Sequence, residues 1–126
     1  MSRYLIVCSD LIFTSKVAGT AQMLGMNCQT VMSGAKAESV LAESDDFTGM
    51  VIDLNTPGLN LESLVGSAPA ELKARTVAFG PHVDVDKLKL AKEVGCAAVF
   101  TRGQFTSELP QILKQIVAAE GSAQDG

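Results

Sequence analysis

A chain of 126 residues, 47% hydrophobic and 19% charged, suffices for one packed domain and is too apolar for disorder. Ten basic against fourteen acidic residues leave a formal net charge of −4, which argues against a nucleic-acid binder, and no Trp with a single Tyr argues against an aromatic stacking platform. Apolar runs such as residues 4–8 fall far below the ~20 residues of a membrane span, and no secretory signal or membrane partner is expected.

Five short apolar runs rich in β-branched residues start at positions 4, 28, 50, 76 and 97, and we read them as strands over residues 4–7, 28–32, 50–54, 76–79 and 97–101. The first, third and fourth are nearly continuous in apolar character, as in strands covered on both faces. Between the runs the period becomes helical. Residues 15–24 form the first helical stretch and end at Gly25, a candidate C-cap. Ala37, Val40 and Leu41 follow a Ser33 cap, and Leu61, Leu64, Val65 and Ala68 follow an Asn60 cap. Residues 84–94 end at Gly95, with Lys87, Lys89, Lys92 and Glu93 as a solvated face. Leu109, Ile112, Leu113, Ile116 and Val117 make the clearest stripe, with Thr106 or Ser107 as cap and Pro110 in the first turn.

Strict β–α alternation implies an α/β fold of three layers, α/β/α, around a five-stranded parallel sheet in the order 2-1-3-4-5. Residues 1–118 are expected as one domain and 119–126 as a flexible C-terminal tail. Cys8, Cys28 and Cys96 are an odd count without a C-x-x-C pair, and read as small buried hydrophobes in a reducing, cytoplasmic setting. No Gly-rich phosphate loop and no G-x-S-x-G nucleophile elbow occurs.

In a sheet of this kind the chemistry sits at the carboxyl ends of the strands. That rule selects Cys8-Ser9-Asp10, the segment from Asp53 to Gly58 including Asn55, Gly80-Pro81-His82 and Thr101-Arg102-Gly103. Over residues 51–58 the sequence Val-Ile-Asp-Leu-Asn-Thr-Pro-Gly, with Pro-Gly four and five residues after Asp53, resembles the phosphoacceptor strand and loop of receiver (CheY-like) domains. These are the response-regulator modules of two-component signalling, and the resemblance covers about residues 3–117. It implies a flavodoxin-like sheet, Asp53 as phosphoacceptor, and docking through the fourth and fifth helices and the strand between them.

The other positions of the family depart from its pattern. The acidic pair that holds Mg²⁺ falls on Cys8 and Ser9, with Asp10 one residue later. The Ser/Thr of strand four falls on Gly80, the Lys of strand five on Arg102, and the switching aromatic on Val99. Asp53 is therefore the one full match and Arg102 a partial one. Mg²⁺ needs an octahedral oxygen set, so no resident metal or other cofactor is expected, and no catalytic residues. Arg102 is expected to reach Asp53 directly and bidentately, with an attraction of roughly 4 kcal/mol before desolvation at ~4 Å and an effective dielectric of ~20; the alternative is that Arg102 points to solvent and Asp53 bonds backbone amides. His82 is expected on the loop entering the fourth helix, solvated or as a partner contact.

The function expected is that of a pseudo-receiver: a stand-alone signalling module acting by protein–protein contact with a histidine kinase or a downstream target. It would not be an enzyme, beyond autophosphorylation or dephosphorylation at Asp53. The alternatives are an atypical response regulator still phosphorylated on Asp53, and a flavodoxin-like domain binding a small ligand.

Overall fold

The computed structural model describes residues 3–125, with side chains described through 118. Five parallel strands, β1 (Arg3–Val7), β2 (Cys28–Val31), β3 (Phe47–Asp53), β4 (Thr76–Gly80) and β5 (Ala98–Thr101), form one sheet in the order β2-β1-β3-β4-β5. This is the order expected from the alternation. The helices are α1 (Leu11–Met23), α2 (Gly34–Glu43), α3 (Ala70–Lys73), α4 (Val85–Glu93), α5 (Arg102–Ser107) and α6 (Leu109–Asp125).

Side chains alternate across each strand, so the sheet feeds two cores. Leu5, Val7, Met50, Ile52 and Ala78 pack with Ala37 and Val40 of α2, Leu72 of α3 and Ala91 of α4. Tyr4, Ile6, Cys8, Val51, Val77 and Phe79 pack on the other face with Phe13 and Val17 of α1, Phe105 of α5 and Leu113 of α6. The expected three layers follow.

Four local expectations need correction. β3 starts at Phe47, not at residue 50, because Gly49 lets the strand pass close to its neighbours: a Cβ there would lie 2.9 Å from the Arg75 carbonyl and 3.0 Å from Tyr4. α1 starts at Leu11, not at residue 15, with Asp10 as N-cap. Asn60 does cap, accepting from the Ser63 N–H. The segment beyond it is a wide π-type turn over Glu62–Gly66, then Pro69 and the single turn of α3, rather than one regular helix. Neither Thr106 nor Ser107 caps the last helix. Thr101 caps α5 through a reciprocal pair with Gln104, and the chain breaks at Glu108 before α6. α6 runs to Asp125, and Gly126 lies outside the described residues.

Ser33 caps α2 as expected, by accepting from the Lys36 N–H, and Gly25 and Gly95 take positive φ at 76° and 112° after α1 and α4. Among the described residues no helix is long and apolar enough to cross a membrane.

Candidate functional site

Asp53 ends β3, at the carboxyl edge of the sheet, and only 3% of it is exposed. Its side chain leaves the sheet on the α1/α5 face, in step with Val51. Oδ1 accepts from the Asn55 backbone N–H at 2.9 Å. Oδ2 accepts from the Cys8 thiol at 3.4 Å. Thr56 is buried and its hydroxyl lies 2.6 Å from the Asp53 carbonyl and 3.2 Å from that of Val7, which fastens the loop after β3 to β1.

Arg102 does not meet Asp53 in the bidentate manner expected. Its Nη2 donates to Asp10 Oδ2 at 2.8 Å, while Nη1 stands 3.8 Å from Asp53 Oδ2, beyond hydrogen-bond reach. The guanidinium is thus shared between two carboxylates from β3 and the start of α1. It also lies over the Phe13 ring, 4.5 Å from ring centroid to the guanidinium carbon. The Arg102 side chain is 36% exposed, so water screens its attraction to Asp53 well below the value for a dry pair.

The reason is local. Asp10 caps α1 through Oδ1, which accepts from the Phe13 N–H at 3.1 Å, and this aims Oδ2 at Arg102. The Phe13 bond first, and the Arg102 contact after it, hold the Asp10 carboxyl below its ordinary range. A carboxyl lowered on folding contributes stability above its unfolded value of ~3.9, and loses it as the pH falls through the folded value. Asp10→Asn keeps the capping oxygen but not the charge. We expect it to be less stable than the parent at pH 7, with the gap closing as the pH falls below the usual carboxylate range and through the folded value of Asp10, where both side chains become neutral. Urea midpoints across that range measure the gap, and a gap independent of pH contradicts the assignment.

Cys8 is 1% exposed. Burial, ahead of its other contacts, pushes its thiol upward, so it stays a neutral donor to Asp53. Burial also raises Cys28, and takes Cys96 up to about 11. Ser9 is partly buried beside Cys8. Gly80 ends β4, and a Cβ there would lie 3.2 Å from both Cβ and Cδ1 of Leu54. The space where the resemblance places a hydroxyl is therefore bordered by an apolar side chain that is itself buried. Val99 is partly buried against the α2/α4-side core. The neighbouring aromatic, Phe100, faces the opposite core, 6.3 Å from the Phe105 ring. His82 is exposed in the turn between β4 and α4. Asn55, also exposed, has its Oδ1 3.4 Å from Lys87 Nζ, which links the Asp53 loop to α4.

The structure thus gathers Cys8, Asp10, Asp53 and Arg102 at one edge, with Ser9, Asn55 and Gly80 around them. Leu54 and Thr56 lie in the Asp53–Gly58 segment that the strand-end rule selected, and Phe13 is the residue that sequence reasoning missed. Phe13 carried no signal until the start of α1 was known. Among the described residues, no three His, Cys, Asp or Glu side chains stand together so as to hold a metal ion.

No protein-family model and no curated protein matches the chain. Solved structures do. A response regulator receiver domain protein from Clostridium thermocellum superposes with a TM-score of 0.79 at 13% identity, covering 98% of this chain and 99% of that one. A CheY-like response regulator receiver domain from Methylobacillus flagellatus gives 0.70 at 26% identity, covering 92% and 98%. The phosphorylated cyanobacterial phytochrome response regulator RcpA gives 0.73 at 19% identity, covering 91% and 90%. The fold is that of receiver domains, over nearly the full length of both partners in each comparison.

Proposed function

We propose that this protein is a pseudo-receiver: a cytoplasmic signalling module of two-component type that works by docking to a histidine kinase or downstream protein, without Mg²⁺-dependent phosphotransfer. The observation that carries the reading is the Arg102 guanidinium between Asp10 and Asp53. It supplies a fixed positive charge at the place where a divalent ion would otherwise neutralise the acceptor carboxylate.

The chemistry of the donor set supports this. Mg²⁺ takes hard oxygen ligands in octahedral geometry. Here Cys8 offers a neutral sulfur that already donates to Asp53. Asp10 is committed to the α1 cap and to Arg102. These residues do not fit the ion, and Gly80 and Val99 supply neither the hydroxyl nor the aromatic of the usual relay. Docking is assigned to the face built from α4, β5 and the α5–α6 segment, by analogy with the fold.

A second reading, phosphorylation on Asp53, is favoured by one feature: Arg102 lies close enough to meet phosphoryl oxygens. Incubation with acetyl phosphate and Mg²⁺, followed by intact mass, separates the two. The pseudo-receiver gives no phosphoryl increment. An increment that disappears in Asp53→Asn overturns it in favour of the second reading.

A further inference from the structure

Helix α1 is apolar on both sides. Phe13, Val17 and Ala21 face the core, yet Leu11, Ile12 and Met23 on the solvent side are 66%, 84% and 88% exposed. Ile12 and Met23 are the most exposed large apolar residues among those described. A helix with apolar residues all round is ordinarily covered, and an exposed apolar face marks a contact with another protein. The middle of this face is small. Ser15 and Gly19 are exposed, and a Cβ built on Gly19 meets nothing within 4 Å, so the backbone of another helix can come close there.

Two features select a second copy of this chain as the occupant. First, the face reads alike from either end. Reversing α1 about its midpoint at Val17 exchanges Leu11 with Met23 and Ser15 with Gly19. At 3.6 residues per turn these four, with Ile12, lie on one side of the helix. In an antiparallel pair the large residues at the start of one helix therefore come beside Met23 of the other, and the small residues meet at the centre. That is the self-complementarity a twofold contact requires. Second, the charge is compatible. The chain carries −4, and two copies repel wherever their carboxylates face each other. From Leu11 to Met23 there is no Asp or Glu. The one charge on α1, Lys16, falls at the margin of the face, where its long stem keeps the ammonium in water. The solvent side of α4 instead carries Asp86, Lys89, Lys92 and Glu93, all exposed.

We propose that α1 pairs with α1 of a second copy, antiparallel, in a twofold dimer. A helix pair ~20 Å long buries less than a standard interface of ~1,600 Å². The dimer is therefore weak, with a Kd on the order of 100 µM. The contact is separate from the α4–β5 face and does not rest on the chemistry at Asp53.

Sedimentation equilibrium of the full chain from about 5 to about 500 µM should show monomer and dimer in exchange. In ¹⁵N-labelled protein the amide signals of Ile12, Ser15, Gly19 and Met23 should shift with concentration, while those of Lys89 and Val99 stay in place. Gly19→Glu sets a long acid at the centre of the pair, opposite its own copy, and should weaken the dimer at least about tenfold. Its melting temperature at low concentration should not fall, because Gly is the poorer helix former. Raising NaCl from about 50 to about 500 mM should strengthen the dimer, because it screens the repulsion between like-charged copies. A chain that stays monomeric at the highest concentration overturns the proposal and leaves α1 to a different protein. A dimer retained by Gly19→Glu, shifts confined to α4 and β5, or weakening by salt overturns it as well.

Discussion

Cys8→Asp destabilises the protein by about 3 kcal/mol at neutral pH, and added Mg²⁺ restores part of that loss. The thiol sits 3.4 Å from Asp53 Oδ2 and is buried. A second carboxylate in that position puts two like charges together where water does not screen them. Arg102 cannot offset both, because its one hydrogen bond to a carboxylate goes to Asp10 and its Nη1 remains 3.8 Å from Asp53. The pair must share a proton or repel. Where they share a proton, the loss grows as the pH rises above the unfolded carboxylate value of ~3.9, since the native state of the variant holds a proton that the unfolded chain releases. A divalent ion relieves the repulsion because two carboxylates now converge on it. Cys8→Ser, which keeps a donor and adds no charge, should stay within about 1 kcal/mol of the parent. Urea unfolding with and without Mg²⁺ measures all three. Cys8→Asp as stable as the parent in the absence of metal would show that the cleft tolerates a second acid.

The other large effect belongs to the aromatic support beneath the site. Phe105 is fully buried, and its ring stacks on Phe79 with centroids 4.3 Å apart and planes 13° apart. Phe13 completes the cluster, 5.0 Å from Phe79 and 5.9 Å from Phe105, and carries Arg102 on its face. Phe105→Ala should cost about 3–5 kcal/mol, from lost burial and the cavity left behind. Phe105→Leu should cost less than about 1.5 kcal/mol, because most of the volume remains. The alanine variant should also loosen the Arg102–Asp10 contact, since Phe13 loses one of its two ring neighbours in the cluster. Denaturant unfolding reads the first effect, and the Arg102 side-chain NMR signals read the second. A loss below about 1 kcal/mol for Phe105→Ala contradicts the packing described.

The sheet was legible because apolar content alone sets it: residues 4–7 and 76–79 read as strands covered on both faces, and they are. The start of α1 was not legible, because Leu11 and Ile12 are both exposed apolar residues and give no amphipathic signal. That single misplacement hid the site's main contact. With a helix starting at residue 15, Asp10 is a free loop residue and Arg102 has only Asp53 to meet. With the helix starting at Leu11, Asp10 is a fixed cap whose second oxygen faces Arg102. Likewise, the stripe of Leu61, Leu64 and Val65 was read correctly as buried. Gly66, Ser67 and Pro69 turned what looked like one helix into a wide turn and a single turn of helix.

The central claim is that an arginine, in place of a divalent ion, supplies the positive charge beside Asp53. It is tested most directly by titrating ¹⁵N-labelled protein with MgCl₂ to about 10 mM, where a site clamped by carboxylates would begin to fill. No saturable shift at Cys8, Asp53, Leu54 or Gly80 is the predicted result. Saturating shifts at those residues, with displacement of the Arg102 side-chain signals, would contradict it.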